Sequence, residues 1–144
     1  ERVIFSDPYI TVGQMILVRR DAGFRTMESL RLGIIGAIQD SSSETAVREA
    51  FPEATLRSYG YAEDILERLR RGELDAAVVD SPVALELLRC FPDLTALEKL
   101  LTRERYALVL PLSADGGLVA AVNDFLRREG KSLVDRWSRG KGKP

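Results

Sequence analysis

Between residues 32 and 91, three short apolar runs alternate with three helical patterns, and this alternation limits the fold more than any other feature. LGIIGAI (32–38) precedes DSSSETAVREAF (40–51), ATLRSY (54–59) precedes AEDILERLRRG (62–72), and LDAAVVD (74–80) precedes PVALELLRCF (82–91). Ile65, Leu66 and Leu69 share one face of the second helical pattern, and Gly72 ends it. Strands separated by helical crossovers pair in parallel, because the helix returns the chain to the same end of the sheet. A parallel sheet is buried on both sides, so helices cover both faces.

The flanks are less regular. RVIFS (2–6) and GQMILVRR (13–20) read as strands, and TMESLR (26–31) as a short helical turn capped by Thr26. LTALEKLL (94–101) and RYALVLP (105–111) read as extended. LVAAVNDFLRREG (118–130) is expected to be a helix stopped by Gly130, with a last short helix in KSLVDRWSRG (131–140).

Composition excludes several functions. A chain of 144 residues with net charge −1 lacks the basic face of a nucleic-acid binder. Its one basic cluster, Arg136–Lys143, reads as a solvated terminus. With no histidine there is no imidazole base, relay or metal ligand. The single cysteine, Cys90, excludes an internal disulfide and a thiolate metal cage, and its apolar context LELLRCF reads as a buried structural position. No metal and no cofactor are expected. No apolar run approaches the ~18–20 residues of a membrane span. The opening ERVIFSDPY is not a signal peptide, which is compatible with one already removed.

Ligands of an open parallel sheet collect outside the carboxyl ends of its strands. Two such ends here carry suggestive chemistry. In GAIQDSSSET (36–45), Ser41 and Glu44 fit a capping box with Ser41 as N-cap. The helix start then offers amide N–H groups and the positive end of a dipole to a carboxylate or phosphate, with Ser41, Ser42 and Ser43 as further donors. The plainer alternative is that these serines only cap a helix. In VVDSPVA, Pro82 suits the first helical position and makes Ser81 the natural cap. Asp80 is then free to meet a cation such as an ammonium, or else supports the cap or pairs with an arginine. Asp75 reads as a brace for the preceding turn. An anion-accepting helix start beside a lone acid suits a small zwitterion such as an α-amino acid.

FSDPYITVGQMILVRRD, LRLGIIGAIQDSSSETAVREAFPEATLRSYGYAEDILERLRRGELDAAVVDSPVA and the closing RYALVLPLSADGGLVAAVNDFLRREGKSLVDRW together resemble the family 3 solute-binding proteins of bacterial ABC transporters. The resemblance implies a periplasmic-binding-protein-like II fold: three-layer αβα with a parallel-rich sheet, one complete lobe and a partial second one. It implies residues 1–17 as partial first lobe and hinge strand, 18–98 as the complete second lobe, and 99–144 as hinge return and the C-terminal part of the first lobe. It carries ligand contact to Ile38, Asp40, Ser41 and Ser42 on the carboxylate side and Asp80 on the ammonium side, with no catalytic residue. The family commonly has Gly-Thr-Thr where this chain has Asp40-Ser41-Ser42. Asp40 therefore adds bulk and a negative charge beside the expected carboxylate.

The expected function is a periplasmic module, its signal peptide removed, that binds an amino acid or similar small polar ligand by hinge closure. Its expected partner is an ABC permease or the rest of a membrane receptor. Much of the family's first lobe has no counterpart in this sequence. The apolar faces of RVIFS and RYALVLP then predict a homodimer or swapped dimer. The alternative is an enzyme on the same scaffold, similar to cyclohexadienyl dehydratase or to the binding-protein-like domain of a lytic transglycosylase, with Asp40, Glu44 and Asp80 as acids. A third reading is an interaction role without ligand. LysR-type effector domains have a similar two-lobe fold, but FSDPY and VVDSPVA resemble the receptors more closely.

Overall fold

A computed structural model describes residues 3–97 and 100–138 of the chain. Glu1, Arg2, Glu98, Lys99 and the basic tail beyond Ser138 lie outside the described residues. In chain order the elements are β1 (Val3–Phe5), β2 (Ile10–Val12), β3 (Gln14–Arg19), β4 (Ile34–Ile38), α1 (Ser42–Ala50), β5 (Thr55–Tyr59), α2 (Ala62–Arg71), β6 (Ala76–Asp80), α3 (Ser81–Cys90), β7 (Leu94–Ala96), β8 (Glu104–Tyr106), β9 (Val109–Pro111) and α4 (Gly116–Ser138). Short 3-10 turns at Arg20–Ala22 and Glu28–Leu30 link β3 to β4.

The chain divides into two units, Gly13–Arg103 and a second formed by Glu1–Val12 with Glu104–Pro144. β3, expected at the hinge, pairs along its length with β6 and β7 inside the larger unit.

The larger unit is built on a five-stranded sheet of order β5-β4-β6-β3-β7. β4 pairs in parallel with β5 and β6, and β3 runs antiparallel to β6 and β7. The period of two along each strand divides the core into two clusters. Ile16, Val18, Ile35, Ala37, Ala76 and Val78 pack with Val47 and Phe51 at α1. Leu17, Ala77 and Val79 pack on the other face with Ile65 and Leu69 of α2 and Ala84 of α3. Helices therefore cover both faces, giving the expected three layers around a parallel-rich sheet.

Local chemistry explains the element ends. Gly72 closes α2 with φ 79°, a left-handed cap, and Arg19 donates to the Leu69 and Leu74 carbonyls beside it. Asp75, expected to brace the turn before it, instead braces the sheet entry: its carboxylate accepts the Ile34 N–H at 2.8 Å, and its own N–H donates to the Ile34 carbonyl. Gly36 in the middle of β4 lets the sheet and α2 approach closely. A Cβ there would sit 2.6 Å from Leu74 Cδ1 and 2.9 Å from Ile65 Cγ2.

In the smaller unit, β1 pairs with β9 and β2 with β8, both antiparallel. RYALVLP is thus two strands rather than one. α4 is tied to the β1–β2 connection by Asn123, whose Oδ1 accepts the Asp7 N–H at 2.8 Å, and by an Arg127–Asp7 ion pair. α4 also runs through Gly130, where a stop was expected. Gly130 is buried against Tyr9, so this glycine serves packing rather than termination. Cys90 also differs from expectation: it is exposed, because the core-facing positions near the end of α3 are Leu87, Leu88 and Phe91.

Candidate functional site

The carboxyl ends of β4 and β6 and the start of α1 meet at one rim of the sheet. β4 ends at Ile38, and its last backbone groups are closed by a ring of hydrogen bonds. The Ile38 N–H donates to Ser43 Oγ, Ser43 and Ser41 Oγ lie 2.7 Å apart, and Ser41 Oγ donates back to the Ile38 carbonyl. Ser41 Oγ also accepts the Ser43 N–H, so Ser41 is the N-cap of α1 as the capping pattern predicts. Of the three serines, Ser41 and Ser43 are thus committed within the loop, while Ser42 is exposed at the first helical position.

Asp40 has φ 55°, the left-handed conformation that glycine adopts without cost and Asp tolerates better than most residues. Its backbone therefore does what a glycine would do in the turn. Its N–H is accepted by Glu44 Oε2 at 2.7 Å, so the box closes one residue earlier than the Ser41 amide expected for it. That bond, with further ones from Ser58 and Arg48, holds the Glu44 carboxyl below its ordinary range.

Asp80 ends β6 and occupies the cap position of α3, with Ser81 the first helical residue. The expected Ser81 cap is therefore corrected. Ser81 Oγ instead accepts the Gly13 N–H, while the Ser81 N–H donates to the Gly13 carbonyl, fastening α3 to the entry of β3. The Asp80 side chain makes no capping bond and no ion pair among the described residues. It accepts one hydrogen bond, from Gln14 Nε2 at 2.5 Å.

Gln14 is the residue that sequence reasoning missed. β3 runs opposite to β4 and β6, so its first residue, not its last, reaches this rim, opposite Asp80 in register. The side chain is wholly buried at 0% exposure. Nε2 donates to Asp80 Oδ1 and to Ser42 Oγ, the latter at 3.0 Å. The carboxylate accepts only, which fixes the amide with its nitrogen toward Asp80. Oε1 is then buried without a partner among the described residues, a cost of about 1–3 kcal/mol. The available signal was a single polar residue at the head of the apolar run QMILV.

Gln14, Ile38, Ser41, Ser42, Asp80 and Val83 line a cavity of about 120 Å³ at this rim. The structure thus brings four of the five expected site residues together. Asp40 is the exception: it lines a separate open hollow with Ser41, Glu44, Thr45 and Arg48. The acids Asp40 and Glu44 therefore do not face the same cavity as Asp80. A larger hollow of about 480 Å³ lies at the sheet edge, bordered by Arg20, Phe24, Arg25 and residues of β7. It has no acid in its lining and does not lie at the strand ends that meet α1 and α3.

The parallel-rich sheet covered by helices on both faces has the periplasmic-binding-protein-like II fold. The fold matches the solved structure of an ancestral cationic amino acid solute-binding protein (AncCDT-1) with a TM-score of 0.82 and 28% identity, over 96% of this chain and 62% of that one. In sequence the chain is 24% identical over 109 residues to the glutamine-binding protein of Geobacillus stearothermophilus, covering 75% of this chain and 42% of that protein. It is 30% identical over 84 residues to the ABC transporter glutamine-binding protein GlnH of Bacillus subtilis, covering 58% of this chain and 31% of that protein. No protein-family model matches the chain. The chain is similar in sequence to amino-acid-binding proteins of ABC transporters, and it spans less than half the length of these two relatives. These relatives are binding proteins rather than enzymes.

Proposed function

We propose that the chain is an amino-acid-binding module of a solute receptor, with the 13–103 unit acting as one lobe and the rim at Asp80 holding the ligand. The single observation that carries this reading is the pairing, in one cavity, of an acid with no ion-pair partner among the described residues and the exposed Ser42 in the first turn of α1. The acid suits an α-ammonium, and the helix start with the Ser42 hydroxyl suits the α-carboxylate. Ile38 and Ser41 would line the same contact. Asp40, facing away, would influence the ligand only through its charge. The relatives favour L-glutamine or a cationic amino acid as the first ligands to try. The reading includes a periplasmic or extracellular location, an ABC permease or the remainder of a membrane receptor as partner, and hinge closure on binding. It also includes pairing with a second copy through the β1–β9 face, where Phe5 and Val109 are 63% and 60% exposed.

Thermal unfolding with each of the twenty amino acids tests it. A ligand at 100 times its Kd raises stability by about 2.7 kcal/mol. Asp80→Asn is expected to abolish the rise while leaving the unliganded Tm nearly unchanged, because an Asn oxygen still accepts from Gln14. No rise with any amino acid in the wild-type chain contradicts the reading.

A further inference from the structure

Gln14 poses a problem that core packing does not solve. A wholly buried amide with an orphaned acceptor is a worse core residue than Met or Leu, which would fill the same space without a polar atom. What it offers that they do not is the pair of donors on its nitrogen. Both Nε2 protons are used, one on Asp80 and one on Ser42. These partners come from the end of β6 and the first turn of α1, so one amide spans the two halves of the cavity.

The direction of these bonds matters. Ser42 Oγ accepts from Gln14, which leaves its own proton to be donated outward. Asp80 Oδ1 accepts from Gln14, which holds the carboxylate in place with its second oxygen free. Resting on the function proposed above, we infer that Gln14 is a positioning residue that sets the polarity of the site. It presents Ser42 as a donor and Asp80 as an acceptor at a fixed separation. The rim then selects a ligand bearing a carboxylate and an ammonium on neighbouring atoms over one bearing the ammonium alone.

The test compares an amino acid with its decarboxylated amine on the 144-residue chain. The pairs are L-glutamine with 4-aminobutanamide and L-arginine with agmatine, measured by calorimetry or NMR titration. The readout is the affinity ratio within whichever pair the wild-type chain binds. Gln14→Met keeps the volume and removes the donors. It is expected to lower this ratio by about tenfold or more, the scale of losing the Ser42 hydrogen bond to the ligand carboxylate once nothing holds that hydroxyl outward. Adding Ser42→Ala to Gln14→Met is expected to lower the ratio no further, since both act through the same hydroxyl. An unchanged ratio in folded Gln14→Met overturns the inference and leaves the proposed function standing. Absence of amino-acid binding in the wild type overturns that function, and the inference with it. Should Gln14→Met fail to fold, the exposed Ser42 reads the same ratio: Ser42→Ala is expected to collapse it and Ser42→Thr to keep it. A ratio unchanged in Ser42→Ala overturns the inference.

Discussion

Single residues at this rim are held by backbone requirements as much as by ligand chemistry. Asp40 takes φ 55° in the turn before α1. Asp40→Gly is expected to change stability by less than about 1 kcal/mol, because relief of the left-handed conformation offsets the entropy of a freer unfolded chain. Asp40→Val is expected to cost about 1–2 kcal/mol, since a β-branched residue is least tolerant of this conformation. Denaturant midpoints of the two variants check the contrast. Gly36 is constrained differently, by contact. A Cβ 2.6 Å from Leu74 Cδ1 forces the α2 side of the core to shift, so Gly36→Ala is expected to cost about 1–3 kcal/mol in the same assay. Asp80 and the serine loop were legible in the sequence because a strand-ending acid and an S-x-x-E cap are local patterns. Gln14 was not legible, because its place at the rim depends on the direction of β3, and a strand's direction leaves no mark in its own residues.

At the scale of elements, the alternation of apolar runs and helical patterns located β4 through α3, helped by the Ser41 cap of α1 and the Gly72 stop of α2. Gly72 shows this, closing α2 with the left-handed φ that the pattern predicts. Gly130 shows the limit of the same logic. Glycine ends a helix only where the chain needs to turn, and here α4 continues with the glycine buried against Tyr9. An added methyl would lie 3.7 Å from Tyr9 Cβ, an ordinary contact. Gly130→Ala is therefore expected to stabilise the helix by about 0.5–1 kcal/mol, measured by thermal unfolding. A terminating glycine would give a loss instead. The start of α1 carries a pH dependence. Glu44 is held below its ordinary pKa first by the Asp40 N–H, then by Ser58 and Arg48. A depressed carboxyl contributes stability above its unfolded pKa of about 4.3, and that contribution is lost as pH falls through its lower folded value. Glu44→Gln is thus expected to lower Tm at pH 6, with the gap from wild type closing as the pH falls below about 4. A gap that stays constant with pH would assign the loss to packing.

For the whole molecule, the sheet order of the larger unit matters most. β4 and β6 are neighbours, so the ends of their chains and the starts of α1 and α3 share one rim, and β3 adds its first residue because it runs the other way. The three-layer fold was legible from pattern and resemblance together. The place of β3 was less so, because it looks like a connecting strand in sequence yet hydrogen-bonds on both sides as an interior one. In the proposed function this rim, and not the larger hollow beside β7, receives a small dipolar ligand. Titration of the uniformly 15N-labelled chain with L-glutamine and L-arginine, followed by amide chemical shifts, tests it most directly. Shifts are expected to gather at the Gln14 side-chain amide, at Ile38–Ser43 and at Asp80–Val83. Shifts gathered instead at Arg20–Met27 and Thr95–Leu97, or spread without focus, would contradict it.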